Sequence, residues 1–89
     1  MSTIDDIENA LQVLKPELIE IEDDSASHAG HAGNTGGGHF NVLIVSRLFS
    51  GLPLIQRHRL VFEQVDTLMK SRIHALSIRA KTPEEFHTT

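Results

Sequence analysis

The sequence predicts an α+β domain in which helices cover one face of a three-stranded mixed sheet. Apolar residues recur at helical spacing in two segments and alternate along three shorter ones. In chain order these segments are 4–14, 18–22, 39–46, 54–69 and 73–80. The order is therefore helix, strand, strand, helix, strand, and placing both helices on one side of the sheet buries their apolar stripes together. The 89 residues suffice for one domain, 1–89, and are too few for two.

The first helix is predicted from an apolar stripe that Pro16 brings to an end. Thr3 and Asp6 resemble a capping box with aspartate in place of glutamate, which predicts that the helix begins there. The stripe consists of Ile4, Ile7, Leu11 and Leu14. Because the residue before a proline is disfavoured in the α region, the helix should stop before Pro16. A short strand follows, with Ile19 and Ile21 on one side.

The second strand is predicted to be central because apolar residues occupy both of its faces. These residues are Phe40, Val42 and Ile44 on one face and Leu43 and Val45 on the other. Residues 50–53, Ser-Gly-Leu-Pro, have the composition of a turn and separate this strand from the second helix.

The second helix, 54–69, should direct one stripe toward the sheet, and the last strand should again have two distinct faces. The stripe consists of Leu54, His58, Val61, Val65 and Leu68. The faces of the last strand are His74, Leu76 and Ile78 on one side and Ile73 and Ala75 on the other.

A glycine- and histidine-containing loop, 24–38, joins the first two strands. It reads DSASHAGHAGNTGGG and contains five of the six glycines, so ordering it is costly in backbone entropy. Loops of this length inside small domains are usually functional or flexible, and this one is predicted to be flexible. Residues 82–89 are treated as a C-terminal tail.

Composition excludes several classes of protein. The chain contains no cysteine, so it has neither disulfides nor thiolates with which to hold zinc or an iron–sulfur cluster alone. No apolar run is long enough to span a membrane, and the acidic N-terminus is unlike a targeting leader. A cytoplasmic location is expected, or an organellar one if a leader has been removed. No nucleophile elbow, catalytic triad or nucleotide-binding fingerprint is present, which predicts a protein that is not an enzyme.

Charge is distributed unevenly along the chain. The net charge is −4, whereas proteins dedicated to nucleic-acid binding usually have a positive net charge. Residues 1–24 contain eight acidic residues and one lysine, whereas 39–89 contain seven basic residues and four acidic ones. Ordinary solvated surface accounts for this pattern, and a basic face built by the second half is the alternative. The basic residues considered for nucleic-acid binding are Arg57, Arg59, Lys70, Arg72, Arg79 and Lys81.

Six histidines are the most informative residues. His28 and His31 lie on a loop that offers them nothing to pack against, and a neutral imidazole is a good metal ligand. The spacing H-x2-H alone is a weak signal, because no second pair completes a zinc motif. His74 at the start of the last strand could meet the loop only through the fold. Ordinary structural roles account for the others, including His39 at the start of a strand and His58 between two arginines.

The sequence resembles the BolA family at three motifs. They are Phe49-x-Gly51, Arg57-His58-Arg59 and His74-Ala75-Leu76, within HFNVLIVSRLFSGLPLI, QRHRLVFEQVDTLM and IHALSIRAKTPEEF. The resemblance covers about residues 4–86, and the SHAGH loop together with Ala-Lys-Thr-Pro is similar to the BolA1-like subgroup. It implies a fold like the class II KH domain, which agrees with the order derived above.

The resemblance also implies a partner and a cofactor. BolA-like proteins pair with monothiol glutaredoxins and share a [2Fe-2S] cluster, for which glutaredoxin and glutathione provide thiolates. Applied to this chain, the resemblance implies that His74 and one histidine of the loop are ligands of the cluster. His28 is the first choice for the loop ligand, and His31 is the alternate. Two imidazoles can replace two thiolates on one iron, so a chain without cysteine can still contribute ligands. The expected role is cluster trafficking and maturation, or iron sensing.

A DNA-binding transcriptional regulator is the alternative function that the resemblance implies. The nucleic-acid face would be the second helix and last strand of the KH-like fold. The Gly-x-x-Gly loop of KH domains is incomplete here, because this chain has Gly51-Leu52-Pro53-Leu54 without the second glycine. The close approach of backbone to phosphate that this loop provides is therefore not expected.

Overall fold

The computed structural model describes residues 2–24 and 38–88 and has the predicted order of elements, with the second helix in two pieces. The helices and strands are α1 (Thr3–Leu11), β1 (Leu18–Asp23), β2 (Gly38–Val45), α2 (Leu54–Gln64), α3 (Asp66–Ser71), β3 (Ile73–Lys81) and α4 (Pro83–His87). Single turns of 3-10 helix follow α1 and β2. The 24–38 loop lies outside the described residues, apart from its two end residues.

The central position of β2 confirms the prediction from its two apolar faces. β1 pairs with β2 in the antiparallel direction, and β3 pairs with β2 in the parallel direction, so the sheet is mixed. A parallel pair requires a crossover connection, which α2 and α3 provide. Gly38 and Ile73, the first residues of β2 and β3, therefore lie at the same end of the sheet.

The core lies between the helices and one face of the sheet, as predicted. Alternate residues of β2 lie on this face, because successive side chains of a strand point to opposite sides. The buried residues of the core are Ile7, Leu11, Leu14, Phe40, Val42, Ile44, Phe49, Val61, Val65, Ile73 and Ala80.

The start of α1 differs from the prediction by one residue. Ser2, not Thr3, is the N-cap, and its hydroxyl accepts a hydrogen bond from the Asp5 backbone N–H at 3.1 Å. The Asp5 carboxylate accepts from the Ser2 N–H in return. Thr3 and Asp6 have the same spacing as this pair, but their side chains contact Arg72 instead. A sequence pattern cannot distinguish these alternatives, because the contact with Arg72 is long-range.

The second helix breaks at Val65, and its stripe is shifted at the N-terminal end. Val65 has φ −108° and ψ 14°, outside the helical range, so α2 ends at Gln64 and α3 begins at Asp66. Leu54 was predicted to face the sheet but is 61% exposed. The buried position in this first part of the helix is occupied by Arg57, which is 7% exposed.

An irregularity at the start of β3 alters the predicted faces of that strand. Gly38 is opposite Ile73, and the next residue, His39, is opposite Ala75, so His74 is an extra residue on β3. Ile73, Leu76 and Ile78 then contact the core, whereas His74 is exposed. Placing His74 on the same face as Leu76 and Ile78 was therefore wrong, because strict alternation does not hold across a bulge.

The buried side chain of Arg57 connects α2 to three other segments of the chain. Its Nε donates to the Leu52 carbonyl at 2.8 Å, and its Nη1 donates to the Ala80 carbonyl at 3.1 Å and to Glu85 Oε1 at 2.6 Å. Glu85 belongs to α4, which lies in the segment 82–89 treated as a C-terminal tail. The buried cation thus ties α2 to the turn before it, to β3 and to α4.

Candidate metal centre

His74, the predicted ligand from the last strand, lies at the bulge and is exposed to solvent. A bulge of this kind changes the direction of a side chain and is frequent beside functional sites. Had regular alternation continued, the imidazole would have joined the core side of β3 with Leu76. The location agrees with a residue that can bind a ligand from outside.

His39 is the neighbour of His74 that sequence reasoning missed. The two ring centres lie 5.0 Å apart, and the ring planes are inclined at 42°. His39 is the second residue of β2 and His74 the second residue of β3. Since parallel strands begin at the same end of a sheet, a histidine at the start of each strand was the available signal. The interpretation of His39 as an ordinary strand residue did not use the parallel pairing.

Both ends of the 24–38 loop lie at this end of the sheet. The Asp24 N–H donates to the His39 carbonyl at 2.7 Å, and the Gly38 N–H donates to the Arg72 carbonyl at 3.0 Å. The predicted loop ligands, His28 and His31, lie outside the described residues. The chain therefore leaves and re-enters the described fold beside His39 and His74.

His39 and His74 place two imidazoles at this end of the sheet. Within 2–24 and 38–88, no group of three or more His, Cys, Asp or Glu residues is arranged to hold a metal ion. Two imidazoles are too few to complete a tetrahedral coordination sphere by themselves.

The six basic residues predicted for nucleic-acid binding do not form one surface of unpaired charge. Arg57 is buried on carbonyls and Glu85, and the guanidinium of Arg72 donates to the carboxylate of Asp6 and the hydroxyl of Thr3. Lys70 pairs with Asp66 at 3.2 Å, with both side chains largely exposed. This observation weighs against Arg57 and Arg72 as phosphate ligands. The role of Arg59, Lys70, Arg79 and Lys81 in nucleic-acid binding stays a prediction.

A groove of about 610 Å³ is lined by residues of α2, β3 and α4, among them Ala80 and Glu85, which contact Arg57. Leu54, His58, Arg79 and Lys81 are among its lining residues. His58 is half-buried there and is remote in the fold from the His39–His74 pair, since Ile78 and Lys81 lie toward the opposite end of β3.

The Glu85 carboxylate at this groove is held ionised. The hydrogen bond from Arg57 is the largest cause that lowers the pKa of Glu85 to about 2, and the hydrogen bond from the Thr82 backbone adds to it. The Glu85 carboxylate also caps α4, because its Oε1 accepts a hydrogen bond from the Thr82 backbone N–H at 2.9 Å. One carboxylate thus serves both the helix cap and the buried arginine.

Comparison with known proteins identifies the family. The sequence model described as BolA-like protein matches residues 11–85. The chain belongs to the BolA family. Protein BOLA1, chloroplastic, from Arabidopsis thaliana is 49% identical over 76 residues, which are 81% of this chain and 48% of that protein. Among the curated BolA relatives, the name BolA-like protein 1 recurs, in agreement with the BolA1-like subgroup.

Solved structures of BolA proteins share the fold. The structure of BolA1 from Arabidopsis thaliana has a TM-score of 0.83 at 43% identity and covers 96% of both chains. The BolA domain of SufE1 from the same plant has a TM-score of 0.80 at 45% identity and covers 96% of this chain and 98% of that one. The chain spans about half or less of the length of the first curated relatives that it matches. Within the described residues, no helix has the length and hydropathy of a membrane span.

Proposed function

We propose that this BolA-family chain is a non-enzymatic protein that pairs with a monothiol glutaredoxin and shares a [2Fe-2S] cluster with it. Its role would be iron–sulfur cluster trafficking and maturation, or iron sensing. The supporting observation is the exposed imidazole of His74 at a strand bulge, beside the two ends of a histidine-containing loop. Similarity to the BolA domain of SufE1 supports a module that works together with other domains or proteins.

The proposed ligands from this chain are His74 and either His28 or His31. Covalent reach permits both choices. His28 is four residues from Asp24, a span of at most about 14 Å, and His31 is seven residues from Gly38, at most about 25 Å. Because Asp24 and Gly38 are bonded at the His74 end of the sheet, either histidine could approach that end.

When bound, the cluster supplies two iron atoms that take thiolate and imidazole ligands and can change redox state. This chain would bind one iron through neutral imidazole nitrogens and leave the thiolates to glutaredoxin and glutathione. The chain itself would contribute rigidity, since β2 and β3 carry the strand end on which His74 lies. Its lack of cysteine makes the partner necessary for cluster binding.

Reconstitution with a monothiol glutaredoxin tests the proposal. The purified chain, the glutaredoxin, iron, sulfide and glutathione are mixed, and the complex is recorded by visible absorption and circular dichroism. We expect a heterodimer whose spectrum differs from that of the glutaredoxin alone, and we expect His74→Ala to abolish the difference. His87→Ala, a change of an exposed histidine on α4, is the matched control and should leave the spectrum as it is.

Variants of the loop separate its two histidines. If His28 is the second ligand, His28→Ala should change the spectrum and His31→Ala should not, and the reverse should hold for His31. A heterodimer spectrum that is the same with and without His74 would contradict the proposed role of the last strand.

A further inference from the structure

We propose that the free edge of β3, together with the groove between this strand and α2, binds an extended peptide segment in which apolar and acidic residues alternate. The segment would join the sheet as a fourth strand, antiparallel to β3, because antiparallel pairing is slightly more stable per residue than parallel pairing. This interaction surface goes beyond the proposed function, since it uses neither a cluster nor the histidines of the candidate metal centre.

Within the described residues, β3 is an edge strand, and the outer side of its backbone faces no other strand. The backbone groups of successive residues point to alternate sides of a strand. The Ser46 N–H donates to the Lys81 carbonyl at 3.0 Å, so Lys81 and, by alternation, Arg79 turn their backbone groups toward β2. The N–H and C=O groups of Leu76 and Ile78 therefore point outward. They offer two donors and two acceptors to a further strand, as the edges of peptide-binding sheets do.

The C-terminal end of this edge is closed, which limits the part that a further strand can use. The Ala80 carbonyl, on the same outer side, accepts a hydrogen bond from Arg57 Nη1 at 3.1 Å. The Thr82 N–H, two residues further on, donates to Glu85 Oε1 at 2.9 Å. Because Glu85 belongs to α4 and lines the groove, this helix marks the end of the binding surface. The bound segment would therefore pair with residues 76–78.

The wall of the groove opposite β3 is a largely apolar side of α2. Leu54, His58 and Phe62 recur at intervals of four residues, so they lie along one side of the helix. Leu54 is 61% exposed and Phe62 is 38% exposed, although both are large apolar residues. On β3, Leu76 and Ile78 have their side chains on the helix side of the sheet. Since directly opposite residues of an antiparallel pair share a face, the residues of the segment opposite these two should be apolar.

The other face of β3 selects acidic residues at the alternate positions of the segment. Ser77, Arg79 and Lys81 lie on this face, because they alternate with residues that pack on the core. In the part of the chain that the structure describes, neither Arg79 nor Lys81 forms an ion pair. A carboxylate on an added strand would be their cross-strand partner. The β3 edge of a second copy would instead bring like charges together, which favours a different partner.

Fluorescence anisotropy with a labelled synthetic peptide of alternating valine and glutamate tests the proposal. The full-length chain is used, and a chelator excludes metal ions. We expect one peptide to bind per chain. Methylation of the valine amide nitrogens should abolish binding, because these N–H groups face β3, whereas methylation of the glutamate amide nitrogens should leave most of it. A peptide with lysine in place of glutamate should not bind.

Variants of the chain locate the binding surface. Arg79→Glu should weaken binding about 5-fold or more, because a cross-strand attraction becomes a repulsion. Lys15→Glu makes the same change of charge at an exposed position before β1, the other edge strand, and should leave the affinity unchanged. Hydrogen exchange followed by NMR should show that the peptide protects the amides of Leu76 and Ile78 and leaves those of β1 as they are.

Three results would overturn the proposal. They are binding that survives methylation of either set of amides, equal effects of Arg79→Glu and Lys15→Glu, and a peptide that fails to bind where single-stranded DNA does. If Arg79→Glu fails to fold, as judged by circular dichroism, the methylated peptides and the unaltered chain decide. Because neither iron nor glutaredoxin is present, failure here leaves the shared-cluster proposal standing, and failure of reconstitution leaves this one standing.

Discussion

Arg57 shows how one polar side chain can organise a small core. It is surrounded by the Leu52 and Ala80 carbonyls and by Glu85, so its charge is compensated although it is 7% exposed. The described residues contain no buried side-chain nitrogen or oxygen that lacks a hydrogen-bond partner. Planar geometry matters here, because a guanidinium can donate in several directions at once and an ammonium cannot reproduce this.

We expect Arg57→Met to lower the free energy of unfolding by about 2–3 kcal/mol, because two carbonyls lose their donor while Glu85 can regain water. Denaturant unfolding followed by circular dichroism measures the change. Arg59→Met, at an exposed neighbouring position, is the control and should fall within about 0.5 kcal/mol of the original chain. Equal losses for the two variants would contradict the structural role of Arg57.

Acid should weaken the Arg57–Glu85 contact in a defined pH window. Glu85 has its pKa lowered from 4.5 to about 2, mainly by the hydrogen bond from Arg57. A lowered pKa means that the stabilisation is fully present above the unfolded pKa and is lost as pH falls through the folded one. The difference in unfolding free energy between the original chain and Glu85→Gln should therefore be constant above pH 4.5 and shrink toward pH 2.

Glu84→Gln is the control for this titration, since Glu84 is exposed on the same helix. Because the Glu84→Gln variant keeps the Arg57–Glu85 contact, it should lose stability between pH 4.5 and 2 as the original chain does. A Glu85→Gln difference that stays constant over the whole range would show that the Arg57 contact contributes nothing to acid sensitivity.

At the scale of elements, two local departures from regular structure shape the molecule. The bulge at His74 removes this imidazole from the core side of β3 and leaves it beside His39. The turn before α2 contains Gly51 at φ 80°, which permits the chain to reverse before α2 begins at Leu54, after its N-cap residue Pro53. The first departure exposes His74, the proposed ligand, and the second brings the Leu52 carbonyl to Arg57.

We expect Gly51→Ala to cost about 1–2 kcal/mol, because an L-residue is strained at positive φ. Steric contact adds nothing, since a Cβ at this position would have no heavy atom within 4 Å. Gly51→Asn should cost less, because asparagine tolerates this backbone region better than alanine does. Thermal and denaturant unfolding of the two variants measure the difference, and alanine as stable as glycine would contradict the backbone argument.

At the scale of the whole molecule, charge pairs link the acidic first part to the basic second part. Arg72 donates to Asp6, and Arg47 donates to Glu17 at 2.9 Å, although the latter pair is largely exposed and contributes little. The uneven charge along the sequence is therefore partly compensated in the fold. Arg57 and Arg72 are paired with carboxylates inside the fold, so they do not contribute unpaired charge to a basic face for nucleic acid.

DNA binding stays a prediction that a salt titration can test. If Arg79 and Lys81 bind phosphates, affinity should fall steeply with added salt, and Arg79→Ala with Lys81→Ala should reduce the slope by about 2. His28→Ala with His74→Ala should leave DNA affinity unchanged while damaging cluster sharing. A flat salt response, measured by fluorescence anisotropy, would remove this function.

Local patterns along the chain were sufficient for the fold. Periods of two and of three to four residues depend on neighbours in sequence, so the five main elements, the central β2 and the apolar face were all accessible. The absence of cysteine likewise followed from composition and implied outside thiolates for any cluster. The exposed first turn of α2 was missed, because a helical stripe does not reveal how far the opposing sheet extends.

Long-range packing set the remaining features. Arg57 is buried because carbonyls and a carboxylate from three separate segments surround it, and His74 is turned outward because β3 carries an extra residue opposite β2. The meeting of His39 with His74 has the same origin, since it requires the parallel alignment of two strands far apart in the chain. A local pattern does not contain these contacts, because the free energy that selects them arises only when the segments pack together.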